Sequence, residues 1–134
     1  DAVAKGILVG YPEGVADELT LPGLGDVRAA AERLAGLACR TPVLTCSALE
    51  AMAGASLFFK CENFQRAGSF KFRGATNTLL QLSKAELARG VATTSSGNHG
   101  AALTLAASLQ NAKVTVVMPH NTPQVKVEKV RCYG

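Results

Sequence analysis

The chain has 134 residues, 48% of them hydrophobic and 18% charged, with 14 Lys and Arg against 10 Asp and Glu. This composition fits a globular domain, or a piece of a larger protein, and excludes a disordered or low-complexity chain. No apolar stretch reaches the length of a membrane span, and the net charge of +4 is carried by scattered residues (Lys60, Lys71, Arg73, Lys84, Arg89, Lys113), with Lys126, Lys129 and Arg131 alone clustered, so neither a transmembrane segment nor a nucleic-acid surface is expected.

Asp1 to Gly25 is rich in Gly and Pro with little periodicity, and reads as an extended or irregular arm. Asp26 is expected to cap a helix whose apolar face is Val27, Ala30, Ala31, Leu34 and Ala38. Thr41-Pro42 breaks it, Val43 to Cys46 reads as a short strand, and Ser47 is placed to cap a short helix over Ala48 to Ala53, stopped by Gly54. Leu57 to Glu62 is an aromatic-containing run read as a strand. Ser69 is a candidate N-cap for a helix that carries Lys71 in its first turn and continues through Ala75 to Leu82. A further short helix from Ser83 to Ala88 has Ser83 and Glu86 at capping-box spacing, and Arg89-Gly90 ends it.

From residue 91 the pattern is strand, helix, strand, helix. Val91 to Thr94 is a strand, Ser95 to Asn98 a tight turn, and His99 to Gln110 a helix apolar nearly all round, hence buried. Val114 to Met118 reads as a strand of parallel type ended by Pro119, and Thr122 with Pro123 starts a last helix that Gly134 would end. The rhythm predicts an α/β fold built on a βαβ unit with a right-handed crossover and open strand edges. The four cysteines, Cys39, Cys46, Cys61 and Cys132, form no C-x-x-C pair, and the histidines are not spaced for a metal. Free thiols in a reducing compartment and no metal site follow.

Two stretches carry chemistry. In Gly68-Ser69-Phe70-Lys71-Phe72-Arg73-Gly74-Ala75 a lysine sits where the helix dipole is positive, a poor place for a structural cation. Positive potential and apolar neighbours lower a lysine's pKa, which suits an amine that condenses with an aldehyde; an aldehyde that also carries phosphate would gain from the helix N-terminus. Taken alone, the octapeptide fits a solvated lysine equally well. In Ser95-Ser96-Gly97-Asn98-His99-Gly100 a strand turns into a helix, which offers backbone N–H groups to an anion, with Gly97 and Gly100 permitting close approach. A plain βα turn is the alternative.

Together with Lys60-Cys61-Glu62-Asn63-Phe64-Gln65, these motifs stand in the order and near the spacing of one family. From about Leu24, and strongly from Leu57, the chain resembles the fold-type-II pyridoxal-phosphate enzymes of the serine racemase and serine/threonine dehydratase group. The resemblance implies a tryptophan-synthase-β-like α/β fold. Residues 1–89 would be the first part of a large domain and 90–134 part of a small domain, with the remainder of both absent. It implies pyridoxal 5'-phosphate bound as a Schiff base to Lys71, with Phe70 packed on the cofactor and Asn98 bonded to its phenolic oxygen. Ser95, Ser96, Asn98 and His99 would hold the substrate, an amino acid such as serine or threonine. Lys71 and Ser96 would be the acid/base pair on opposite faces of the α-carbon, since racemisation needs one group on each. Biosynthetic threonine dehydratases usually have alanine at the position of Ser96, so the serine favours racemases and related hydroxy-amino-acid dehydratases, some of which share it.

The resemblance also implies a homodimer in the full-length protein. The glycine-rich phosphate loop and a Mg or Ca site would lie beyond Gly134. The 134-residue piece is therefore expected to be inactive or nearly so alone. Animal serine racemases tend to have Thr and Gln where this chain has Ala67 and Ala101, which argues against nucleotide activation even though Lys126 matches. The chain does not begin with Met, so Asp1 is read as a processing product or an artificial boundary. A cytoplasmic location is expected, or an organelle if a presequence was removed. A biosynthetic-type threonine dehydratase and a non-catalytic anion-binding fragment remain the competing readings.

Overall fold

A computed structural model describes residues 21–134; the arm expected over Asp1 to Gly25 lies mostly outside them. In chain order the elements are α1 (Leu24–Arg33), β1 (Val43–Leu44), α2 (Ser47–Ala53), β2 (Phe59–Lys60), two single 3-10 turns (Glu62–Phe64 and Arg66–Gly68), α3 (Lys71–Leu79), α4 (Lys84–Arg89), β3 (Val91–Thr94), α5 (Asn98–Leu109), β4 (Val114–Val117) and α6 (Gln124–Arg131).

The βαβ unit is present as expected. β3 and β4 pair in parallel with Val91 opposite Val114 and Thr94 opposite Val117. The ladder is extended at both ends by Val91 N–H to the Lys113 carbonyl (2.9 Å) and Ser95 N–H to the Val117 carbonyl (3.0 Å). Two parallel strands need a crossover, and α5 supplies it. One face of each strand is half-buried and the other exposed, as the alternation along Val91–Thr94 and Val114–Val117 shows. β1 and β2 form a separate antiparallel pair of two residues each, Val43 with Lys60 and Leu44 with Phe59.

The core lies where α3 crosses α5. Phe72, Ala75 and Leu79 on α3 meet Ala102, Leu103, Ala106 and Ala107 on α5, and Ala67 closes one end. The α3 residues recur at three- and four-residue spacing, the single stripe an amphipathic helix must bury. Alanines on α5 let the two backbones approach closely, and Phe72, wholly buried, fills the space between them. This core runs on both sides of residue 90.

Several helix starts differ from the sequence expectation. α1 begins earlier: Gly23 is its N-cap, and Asp26 sits in the first turn with its carboxylate accepting the Gly23 N–H (2.8 Å). It also ends at Arg33 instead of continuing to Ala38, and none of its residues is buried. Cys46, not Ser47, occupies the N-cap of α2. Ser69 does not cap α3 through its hydroxyl. Its carbonyl accepts the Phe72 N–H (3.3 Å), while its Oγ is buried with no partner among the described residues. Pro123 is the N-cap of α6, one residue later than expected, and Thr122 precedes it. The strand expected over Leu57 to Glu62 is two residues long, because Glu62 enters a 3-10 turn. Other punctuation stands as read: Gly54 ends α2 in the left-handed region (φ 63°), and the Ser83–Glu86 box starts α4.

Candidate active site

The segment between β2 and α3 delivers Lys71. It passes through the two 3-10 turns, and Ala67 and Gly68 both take positive φ (58° and 70°). For Ala67 that conformation costs about 1–2 kcal/mol, which the surrounding contacts must offset. The chain then extends at Ser69 and enters α3 at Phe70-Lys71. Lys71 is the first residue of the helix and is exposed. Its Nζ lies 5.1 Å from the centroid of the Phe70 ring, within reach of a cation–π contact. Phe70 is itself 58% exposed.

The turn from β3 into α5 is held by Ser95. Its Oγ accepts the N–H of Gly97 (3.3 Å) and of Gly100 (3.0 Å), satisfying donors that a helix start leaves unpaired. Ser96 and Asn98 are exposed and His99 is half-buried. Gly100 is where α5 meets β4: a Cβ there would come within 3.0 Å of Val116 Cγ1 and 3.4 Å of the Ser95 carbonyl oxygen.

Between the start of α3 and the β3–α5 unit lies an open cleft of about 590 Å³. Phe70, Lys71, Gly74, Thr78, Thr93 and His99 line it, together with apolar residues of α3, β3 and α5. The sequence-predicted residues Phe70, Lys71 and His99 are thus brought to one cavity. Ser95 and Ser96 occupy the adjoining turn and Asn98 the first position of α5, and none of them lines that cavity. Asn98 and Gly97 instead border a smaller hollow of about 190 Å³ with Lys126 and Lys129. No group of three or more metal-ligating side chains comes together among the described residues, and all four cysteines are free thiols.

A polar cluster that ties the first turn of α3 to the segment before it was not anticipated from the sequence. Arg73 donates to both Glu62 carboxylate oxygens (Nε to Oε2, 2.9 Å; Nη2 to Oε1, 2.8 Å) and, through Nη2, to the Cys39 carbonyl (2.9 Å). The Thr41 hydroxyl also donates to Glu62. Lys60 Nζ donates to the Thr41 carbonyl (2.6 Å). The hydrogen bond from Arg73 is the main cause that lowers the Glu62 carboxyl to about 2; burial opposes it, while the Thr41 hydroxyl and the charges of Arg73 and Lys60 add to it. The same partnership raises Arg73 above its ordinary value. Buried Gln65 completes the set, accepting the Cys39 N–H (2.9 Å) and donating to the Cys39 carbonyl (2.8 Å). Its partner is 26 residues away, which no local pattern reveals.

A cleft of this size suits a small organic ligand, and the groups on it are an amine, an imidazole, hydroxyls and an aromatic face. That donor set fits a planar aldehyde cofactor: the amine can bond to the carbonyl carbon, and Phe70 can cover the ring. Comparison with known proteins gives the class. Residues 34–134 match the family described as pyridoxal-phosphate dependent enzyme. The chain is 46% identical over 120 residues to the serine racemase of Schizosaccharomyces pombe, covering 90% of this chain and 37% of that protein. It is 50% identical over 114 residues to the beta-hydroxyaspartate dehydratase of Paracoccus denitrificans, covering 85% and 36%. The maize serine racemase structure superposes with a TM-score of 0.78 at 49% identity, covering 81% of this chain and 33% of that one. The chain therefore belongs to the pyridoxal-phosphate dependent enzymes, in the fold-type-II group of serine racemases and hydroxy-amino-acid dehydratases. It spans little more than a third of the length of these curated relatives.

Proposed function

We propose that the full-length protein uses pyridoxal phosphate to racemise serine, to eliminate water from serine or a related β-hydroxy amino acid, or to do both. The observation that carries this reading is that Lys71 and His99, from separate elements, line one cleft, with Ser96 on the turn beside it. Residues 1–89 and 90–134 would belong to the large and small domains, with the cleft at their junction, a common location for such sites.

When bound, the cofactor supplies an electron sink that makes the α-proton of an attached amino acid removable. The rest falls to this chain's side chains. Lys71 holds the cofactor and moves the α-proton on one face. Phe70, which lines the cleft, would cover the ring, and Asn98, in the first turn of α5, would hold the phenolic oxygen, as the resemblance implies. The first turn of α5 receives the substrate carboxylate with its backbone N–H groups and the positive end of its dipole. Ser95 accepts two N–H bonds through its oxygen, which leaves its own hydroxyl proton to donate to that carboxylate. His99, half-buried at the same helix start, lines the same cleft.

Ser96 is the proton carrier for the second face. Racemisation needs it; elimination from the enantiomer whose α-proton faces Lys71 does not. The test follows D-serine and pyruvate formation from L-serine in parallel, with Ser96→Ala in the full-length protein. Racemisation should fall by about 10²-fold or more, the typical contribution of one positioned acid/base, while elimination persists. Equal loss of both would mean that Ser96 binds substrate instead of moving a proton. The identity to a hydroxyaspartate dehydratase supports a second reading, elimination from a β-hydroxy amino acid with two carboxylates. Turnover of 3-hydroxyaspartate with no D-serine from the unmodified protein would favour it.

A further inference from the structure

Lys71 is a long, exposed side chain at the first position of its helix, with its Phe70 neighbour also largely exposed. Packing alone does not fix where its amine points. What is fixed is the backbone under it. Arg73, in the same helical turn, forks onto both oxygens of Glu62 and onto the Cys39 carbonyl. Gln65 clasps the Cys39 peptide through its N–H and its carbonyl, and the Thr41 hydroxyl is bonded to Glu62. The Gln65 carbonyl accepts the Gly68 N–H (2.8 Å), and the Phe70 carbonyl accepts the Arg73 N–H (3.0 Å). These bonds bracket Ala67 and Gly68, whose left-handed backbone would relax if one side were released.

We propose that the Glu62–Arg73 pair, tied to the Cys39 peptide, is a positioning device that sets the direction of Lys71 into the cleft by holding the strained 65–70 segment and the first turn of α3 in register. Arg73 and Glu62 are positioning residues; neither lines the cleft. The geometry requires arginine in particular. A lysine keeps the charge, but a single ammonium does not reproduce the planar fork that spans Glu62 and Cys39 together. A glutamine at 62 keeps the shape and loses the charge that balances Arg73 and Lys60.

The proposal rests on Lys71 being the cofactor lysine, and its test separates the two. In the full-length protein, Arg73→Lys and Glu62→Gln are compared with Asn77→Ala. The last removes the Arg33 Nε–Asn77 Oδ1 bond (2.7 Å) that ties the same helix to α1, farther along from Lys71. The readouts are the rate at which the visible band of the lysine-bound cofactor forms on adding pyridoxal phosphate, the circular dichroism of that band, and the melting midpoint. Arg73→Lys and Glu62→Gln should each slow band formation by about 10- to 100-fold, the scale of an ångström-sized misplacement, and weaken its dichroism. Asn77→Ala should melt earlier yet form the band at the unmodified rate. The double variant should be no slower than the slower single one, because the pair acts as a unit. Unmodified rates and dichroism in both variants would overturn the proposal. So would equal slowing by Asn77→Ala, or a double variant slowed by the product of the single effects. If the unmodified protein forms no band at Lys71, the lysine assignment itself fails, and the positioning role with it.

Discussion

Gly90 joins α4 to β3 at φ 82° and ψ 177°, a backbone region that glycine alone adopts readily. A Cβ at this position would lie 2.9 Å from the Lys113 carbonyl oxygen and 3.1 Å from the Lys113 Cβ. That carbonyl accepts the Val91 N–H at the start of the parallel ladder, so it has little freedom to move. Gly90→Ala therefore adds backbone strain of about 1–3 kcal/mol. Overpacking against a fixed carbonyl adds about 1–3 kcal/mol more. Loss of unfolded-state freedom returns only about 0.4–1 kcal/mol. The net expectation, by difference of those terms, is destabilisation by roughly 1–5 kcal/mol in urea unfolding of the full-length protein. Gly74→Ala is the matched control. Gly74 lies inside α3 with nothing within 4 Å of its would-be Cβ, so the same change should be neutral or stabilising by up to about 1 kcal/mol. If Gly90→Ala stays within about 0.5 kcal/mol of the unmodified protein, the reasoning about this junction is wrong.

Two further perturbations test the packing and the electrostatics. Phe72 is wholly buried at the α3–α5 crossing, so Phe72→Ala should destabilise by about 3–5 kcal/mol in the same assay, and a loss below 1 kcal/mol would contradict its place in the core. Glu62 is lowered from 4.5 to about 2 in the fold, so its contribution to stability is complete above the unfolded value and is lost as the pH falls through that window. Full conversion would give about 3 kcal/mol, but its partner Arg73 is 34% exposed and solvent screening reduces this to about 1–2 kcal/mol. Unfolding free energies between pH 5 and pH 2.5 should fall by about that much more in the unmodified protein than in Glu62→Gln; parallel losses would remove the assignment.

The elements that could be read in advance were those whose signal is local and repeated. Val91–Thr94 and the apolar helix after it, the Ser83–Glu86 box and the Gly54 stop needed only neighbouring residues to specify them. Helix starts were less legible, because several residues near each could cap. Asp26 acts from inside the first turn, and Ser69 turns its hydroxyl into the interior. The left-handed Ala67 carries no glycine to announce it. At the site, the motif order pointed to Lys71, and the cleft brings it together with Phe70 and His99. The Cys39–Glu62–Gln65–Arg73 cluster was invisible because its bonds span 11 to 34 residues and depend on how the segment before α3 folds back.

The central claim is that Lys71 is the residue that binds pyridoxal phosphate. The direct measurement is to add pyridoxal phosphate to the full-length protein, reduce with borohydride, digest it and locate the fixed label by mass spectrometry. The account predicts loss of the visible band on reduction, one cofactor-derived mass on the peptide containing Lys71, and no label in Lys71→Ala. A label fixed at Lys126, Lys129 or another lysine, or a Lys71→Ala variant that still binds the cofactor covalently and turns over amino acids at near-normal rates, would contradict it.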